Sequence, residues 1–328
     1  MEERFFKALR DAKRVLVIQA ENPDGDSLGS ALALEEVLGG IDKTVALYCP
    51  VNIPRYLRYF TGWDRVSDLW PNAADMAIIV DSASATLLSR ALIPEQLALL
   101  KKIPVAVFDH HVTPGDLPFR SINLVDPSMV ATGELLFNVF KNLQLPITPA
   151  AAELLTMSIL SDSLGLTSLA TTSQTVRNVA ELMDLGADLG QIENRRRQLM
   201  RKSPEILSYK AKLIERIEYY LDGQLALVTI PWEEIERYSD QYNPSMLVID
   251  EIRLVEGVRL AAALKTYPDG RITGKLRANA DAMIAETVAG AFGGGGHAYA
   301  AGFRVYDSLD NVKRELVQTT DKALKDQE

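Results

Sequence analysis

The sequence predicts an α/β chain of two domains: a parallel-sheet N-terminal domain with helices on both faces, and a smaller α/β C-terminal domain, with an active-site cleft between them. Three observations carry this. The 328 residues exceed the size at which one hydrophobic core usually stops growing, and 47% apolar residues supply material for two. In the first half, short apolar runs alternate with stretches of helical spacing, the pattern of strands buried on both faces. In the second half, strand-like runs gather around a Tyr267-Pro268-Asp269-Gly270 turn.

Met1 to Arg10 is a charged, helix-like stretch without the apolar core of a signal segment. Arg14 to Ala20 is a strand ending in a turn, and Asp26 to Leu38 has helical spacing. Lys43 to Tyr48 and Ala74 to Ser82 are the next strands, the second followed by a helical stretch to Lys102. Pro104 to Asp109 is a further strand, and Thr132 to Leu185 is mostly helical, with Asp162 at a helix-to-loop transition. A helical stretch, Leu189 to Arg216, connects the domains and carries Arg195, Arg196, Arg197, Arg201 and Lys202. Such a basic run is first a solvated helix face, and second a positive lip over the cleft. Gln224 to Ile230, Val258 to Thr266 and Arg271 to Arg277 are strands; Ala280 to Ala291 and Asn311 to Lys325 are helices. The expected division is 1–188, a connecting segment 189–222, and 223–328.

Bulk properties narrow the function. The formal charge is −9, whereas tracking a long nucleic acid calls for a basic surface, so long-duplex binding is not expected. An anionic substrate is then small, or held by local positive charge and metal ions. No apolar run approaches the length of a membrane span. The single cysteine, Cys49, rules out an intrachain disulfide and reads as a buried strand-end thiol; the expected location is a reducing cytoplasm.

In a parallel sheet, ligands gather at the carboxyl ends of the strands. Asp24 and Asp26 follow the first strand, Asp81 ends the Ile78-Ile79-Val80 run, and Asp109, His110 and His111 end another. Each alone could be a turn residue or helix cap; together they form one edge of acids and imidazoles. Asn22-Pro23-Asp24-Gly25-Asp26 puts two carboxylates on a tight loop, suited to hard divalent cations, and the imidazole favours Mn2+, with Mg2+ as the alternative. Two of the three histidines are adjacent at a strand end, and the third, His297, follows Gly293-Gly294-Gly295-Gly296. The glycine loop reads as an anion cradle. Arg277 could fork onto a phosphate, and Lys275, two residues earlier, shares its sheet face.

These residues together resemble the DHH phosphoesterase family, whose motif is matched by Asp109-His110-His111. The motif order also fits: Asn-Pro-Asp-Gly-Asp at 22–26, Asp81, the triplet, then Asp162. Gly-Gly-Gly-His-x-x-Ala-Ala-Gly at 294–302 is similar to the hallmark of the DHH-associated C-terminal domain, and the chain length resembles the NrnA-like nano-RNase and pAp-phosphatase branch. The resemblance implies a DHH catalytic domain at 1–188 and a substrate-binding domain at 223–328. It implies two Mn2+ ions bridged by Asp81, with Asp24 on one ion and Asp26, His110 and Asp162 on the other. It implies His111 on the scissile phosphate, with Asp109 as its catalytic companion. Arg277, Lys275, His297, Gly294, Gly295 and Gly296 would hold a further substrate phosphate.

One position departs from the family pattern. A metal-binding histidine normally stands three residues before the proline of the first motif; here that residue is Ala20. Gln19 and Glu21 flank it, but in an extended strand they point to other sides, unless the loop bends Glu21 inward. The Asp24-side metal site is thus short of one ligand. The function expected is cation-dependent hydrolysis of short oligonucleotides, linear dinucleotides or pAp. The alternatives are a single-strand exonuclease, an inorganic pyrophosphatase, and a nucleotide-binding sensor descended from an enzyme.

Overall fold

A computed structural model describes residues 1–112, 115–239 and 241–327. The chain divides into two compact units, Met1–Met200 and Arg201–Glu328.

In the first unit the order is α1 (Glu2–Asp11), β1 (Arg14–Ile18), α2 (Gly25–Gly39), β2 (Thr44–Tyr48), β3 (Met76–Val80), α3 (Pro94–Leu100), β4 (Val105–Asp109), β5 (Ile122–Val125), α4 (Thr132–Asn142), α5 (Pro149–Asp162), α6 (Ser173–Asp184) and α7 (Leu189–Leu199). The expected parallel sheet is present: its order is β2-β1-β3-β4-β5 and all four pairings are parallel. Alternate residues face opposite sides. Val15, Val17, Ile78 and Phe108 pack against α1, α2, α4 and α5. Leu16, Ile18, Ile79 and Val107 pack with Leu88, Ala91 and Leu100 on the other face. Strand order reverses between β1 and β3, so the crevice where ligands settle opens above these two strands.

The second unit runs α8 (Pro204–Glu215), β6 (Glu218–Tyr220), β7 (Leu225–Ile230), α9 (Trp232–Tyr238), α10 (Ile249–Arg253), β8 (Leu260–Thr266), β9 (Arg271–Ala278), α11 (Ala285–Ala291), β10 (Gly295–His297), β11 (Ala300–Tyr306) and α12 (Leu309–Lys325). Its sheet is mixed, in the order β10-β11-β9-β8-β7-β6, with β7 and β8 parallel. One face packs on α11 and α12. The other, through Ala226, Val228, Ile230, Ala261 and Ala263, packs on residues of α8, α9 and α10.

Several elements differ from the sequence expectation. The helix expected over 189–216 is two helices, α7 and α8, belonging to different units. Pro204 opens α8 and Ser203 caps it, its Oγ accepting from Ile206 N–H at 3.2 Å; the residue before a proline is driven out of helical geometry. The helix expected before Lys102 is only α3, with Pro94 in its first turn. The helix expected from Ala280 begins at Ala285. Much of the glycine loop is the edge strand β10, paired with β11. Among the described residues no helix is long and apolar enough to cross a membrane.

Candidate metal centre

The tight loop after β1 leads into α2, and Asp24 is its N-cap. Asp24 Oδ1 accepts from Ser27 N–H at 2.9 Å, while Ser27 Oγ accepts from Asp24 N–H at 3.0 Å, a closed capping box. Asp26, one turn in, is fully buried. Its Oδ1 accepts from Gly133 N–H at 3.1 Å, Ser30 Oγ at 3.3 Å and Ser158 Oγ at 2.5 Å. Its Oδ2 accepts from Thr132 N–H at 2.7 Å. The N-terminus of α4 thus points two amides at this carboxylate, which favours its negative charge. Gly133 is required for that approach: a Cβ there would stand 1.9 Å from Ser158 Oγ.

Asp81 follows β3 with φ +60°, a left-handed conformation unusual for a residue with a side chain. Its Oδ1 accepts from Thr132 Oγ1 at 3.2 Å. Asp162 is the last residue of α5. Between these acids stands His110. Its Nδ1 lies 3.3 Å from the Met129 carbonyl, an acceptor, so Nδ1 carries a proton and Nε2 faces the acids. Nε2 has no hydrogen-bond partner. Three carboxylate oxygens nevertheless surround it: Asp162 Oδ2 at 3.4 Å, Asp81 Oδ1 at 3.5 Å and Asp26 Oδ2 at 3.6 Å. Those separations are wide for hydrogen bonds and suit ligands of one shared cation.

The electrostatics agree. Burial and the neighbouring Asp26, Asp24 and Asp162 push the Asp81 carboxyl well above its ordinary range. Burial, with Asp26 and Asp24, lifts Asp162 to about 7 against the pull of His110. Burial and Asp26 also raise Asp24. Burial opposes charge on His110, but Asp162 and Asp26 outweigh it and raise the imidazole to about 9. More negative charge is gathered here than the protein's own groups neutralise. Asp26, His110 and Asp162 form one set able to hold a metal ion; Asp81, His110 and His111 form a second. The donor types, mixed carboxylate and imidazole, fit a divalent cation of the Mn2+ kind.

His111 is placed differently. Its Nδ1 lies 2.7 Å from Asp109 Oδ1, which also accepts from His111 N–H at 3.1 Å. Burial works to raise the Asp109 carboxyl, but the His111 contacts prevail and hold it below its ordinary value. The pair is an oriented imidazole at the rim of the acid cluster.

Ala20 lies in the apolar cluster of Ile18, Ile79 and Leu88, 6% exposed. Glu21 does not replace the missing ligand. Its Oε1 accepts from Ser89 Oγ and Arg90 N–H, and Arg90 Nε lies 3.5 Å from its Oε2. The Gln19 amide is fully buried, and neither of its polar atoms has a partner. Cys49 is buried, which lifts its thiol to about 11 and keeps it unreactive. Of the basic run, Arg196 and Arg197 pair with Glu193 as on a solvated helix face, whereas Arg195 is partly buried and pairs with Glu153 of α5.

In the second unit, Arg277 and Lys275 lie on β9 and His297 on β10. The register pairs Arg277 with Ala300 and Ala300 with His297, putting these side chains on one sheet face. Gly296 has φ +142°, and a Cβ there would stand 2.6 Å from the Ala300 carbonyl, so only glycine fits. The expected amide cradle needs one correction: Gly294 N–H donates to the Ala289 carbonyl at 2.9 Å, closing α11, and is not offered to an anion.

The sequence reading missed the groups that hold the acids: Thr132, Gly133, Ser30 and Ser158. Ser158 was the nearest to a signal, as one of two hydroxyls, with Thr156, in the otherwise apolar run Leu154 to Ile159.

Comparison with known proteins bears on family and fold. The family model described as the DHH family, N-terminal domain, matches residues 14–159. The bifunctional oligoribonuclease and PAP phosphatase NrnA of Thermus thermophilus is 27% identical, over 92% of this chain and 89% of that one. The probable bifunctional oligoribonuclease and PAP phosphatase NrnA of Streptococcus mutans is 25% identical, over 90% and 91%. Among solved structures, an exopolyphosphatase-related protein from Bacteroides fragilis superposes with a TM-score of 0.85 at 21% identity, covering 99% of this chain and 96% of its own.

Proposed function

Residues 14–159 are a DHH family N-terminal domain, and on that premise we propose that the chain is a cation-dependent phosphoesterase acting on short oligonucleotides and pAp. One observation carries the reading: His110 Nε2, without a hydrogen-bond partner, is ringed by three carboxylate oxygens at 3.4 to 3.6 Å. The choice of substrate is supported by the names of the Thermus and Streptococcus relatives, each matched over about nine-tenths of both chains.

In this reading Asp26, His110 and Asp162 would hold one cation, with Asp81 and Asp24 available as ligands to a second. When bound, such cations acidify water and draw charge from a phosphoryl group. The chain's own groups have distinct tasks. Thr132 and Gly133 amides fix the Asp26 carboxylate, and the Met129 carbonyl fixes the His110 tautomer, so the ligands are ordered before any cation arrives. Asp109 holds His111 by Nδ1, directing its other nitrogen to phosphoryl oxygens, where charge develops as the ester breaks. On the second unit, Arg277 and His297 would bind a phosphate of such a ligand.

The test is product release from pAp and from a linear dinucleotide across a Mn2+ titration, for the wild type and for Ala20→His. Release by the wild type supports hydrolysis with one position short of a ligand. No release by the wild type at any cation level, with tight binding of pAp, overturns it in favour of a nucleotide-binding role. The burial of Ala20 among apolar residues is what favours that second reading.

A further inference from the structure

On the second unit's sheet, α8, α9 and α10 pack on one face over Ala226, Val228, Ile230, Ala261 and Ala263. The rest of this face is polar. Lys265 on β8 pairs with Thr273 on β9, Ala263 with Lys275, and Ala261 with Arg277, so Lys265, Thr273, Lys275 and Arg277 share it. Around Lys265 and Lys275 lies a cavity of about 230 Å3, lined also by Asn243, Ser245, Tyr267 and Thr273.

The walls of this cavity are rich in positive charge and hydrogen-bond donors. Lys265 Nζ donates to Asn243 Oδ1 at 2.7 Å, and Lys275 Nζ lies 2.9 Å from Met246 Sδ, a weak acceptor. Among the described residues neither ammonium forms an ion pair. Burial pushes Lys265 down to about 8. Burial, with Arg277 and Lys265 as like-charged neighbours, does the same to Lys275. Half-buried cations that repel one another, with Asp250 as an acid acting on Lys275 and Arg277, are costly to keep. The hydroxyls of Ser245, Thr273 and Tyr267 can all donate, and an occupant that meets every wall at once is a phosphate.

We propose that this cavity is a second phosphate subsite, in which Lys265 and Lys275 take the next phosphodiester of a chain whose neighbouring phosphate sits on Arg277. The inference rests on the reading of the substrate as a short oligonucleotide. Two strand residues set Lys275 about 7 Å from Arg277 along β9, in scale with neighbouring phosphates on an extended single strand. The face therefore counts phosphates, and affinity climbs with each nucleotide until the row of cations ends.

The experiment uses the full chain with Mg2+ and phosphorothioate-linked pA, pApA and pApApA, titrated calorimetrically. Lys265→Met is compared with the wild type and with Lys265→Arg, and thermal midpoints check folding. The wild type is expected to gain about tenfold in affinity per added phosphate. In Lys265→Met that gain shrinks to about threefold or less, and Lys265→Arg restores it. An equal loss on all three ligands would make Lys265 merely structural and overturn the subsite; so would an undiminished gain. If the wild type cleaves pAp but gains nothing from added phosphates, the proposed function stands and the subsite falls. If it binds none of these ligands and leaves pAp and an unmodified dinucleotide intact, both fall together.

Discussion

In the first unit, strand ends gather carboxylates around an imidazole; in the second, a strand face gathers lysines and an arginine around hydroxyls. Asp24, Asp81 and Asp162 are each pushed upward by burial and by one another. Lys265, Lys275 and Arg277 are each pushed downward by burial. Each cluster is left with an excess of one sign that its own fold does not cancel. The first has the charge to attract a cation and the second the charge to attract an anion. The clusters differ in rigidity: Asp26 alone is held by four donors, whereas Lys265 leans on one neutral amide oxygen.

That contrast can be broken from the metal side first. His110→Ala is expected to lower release from pAp about a thousandfold and to abolish tight cation binding. Product assays paired with a Mn2+ titration followed by electron paramagnetic resonance check both. Lost turnover with unchanged cation affinity would remove His110 from the ligand set. Thr132→Val keeps the amide on Asp26 but removes the hydroxyl on Asp81. It should weaken cation affinity by roughly 10- to 100-fold, as read in the same titration.

On the anion side the effects are smaller. On the proposed reading, Arg277→Ala should raise KM for pAp about tenfold, with a smaller change in kcat, as expected of a guanidinium that binds substrate rather than the reacting group. Steady-state kinetics separate the two constants. The finest distinction is in pH. Lys265 and Lys275 titrate near 8 in the folded chain, below the ordinary lysine value. They are charged below that pH and lose charge as it rises through 8, so KM for a dinucleotide should climb a few-fold between pH 7.5 and 9. Folding stability moves the other way. In that window the unfolded chain, with ordinary lysines, binds more protons than the folded one, so stability rises slightly with pH. A denaturant series at the two pH values tests the sign.

Much of this was legible in the residues. Apolar runs without alternation marked β1, β3 and β4 as buried strands, and the acids and histidines stood at their ends. β5 escaped because Asn123 and Val125 face outward from a short strand at the sheet's edge. β10 escaped because three small or polar residues carry no strand signal and only the register with β11 makes them one. The break at Ser203-Pro204 was written in the sequence and outweighed by helical spacing on either side. The donors around Asp26 were not legible, since Thr132, Gly133 and Ser158 lie 106, 107 and 132 positions away. Packing brings them in, and no local pattern announces it. Lys265 was passed over because one lysine near a strand end looks like any other until its cross-strand neighbours are known.

The grip on Asp26 reaches beyond chemistry. Its carboxylate is a knot tying α2, where it resides, to the first residues of α4 and the middle of α5. A chain that has not yet brought these three helices together has no ordered carboxylate to offer. A cation site that depends on this carboxylate would therefore be completed late, only after the three helices have met.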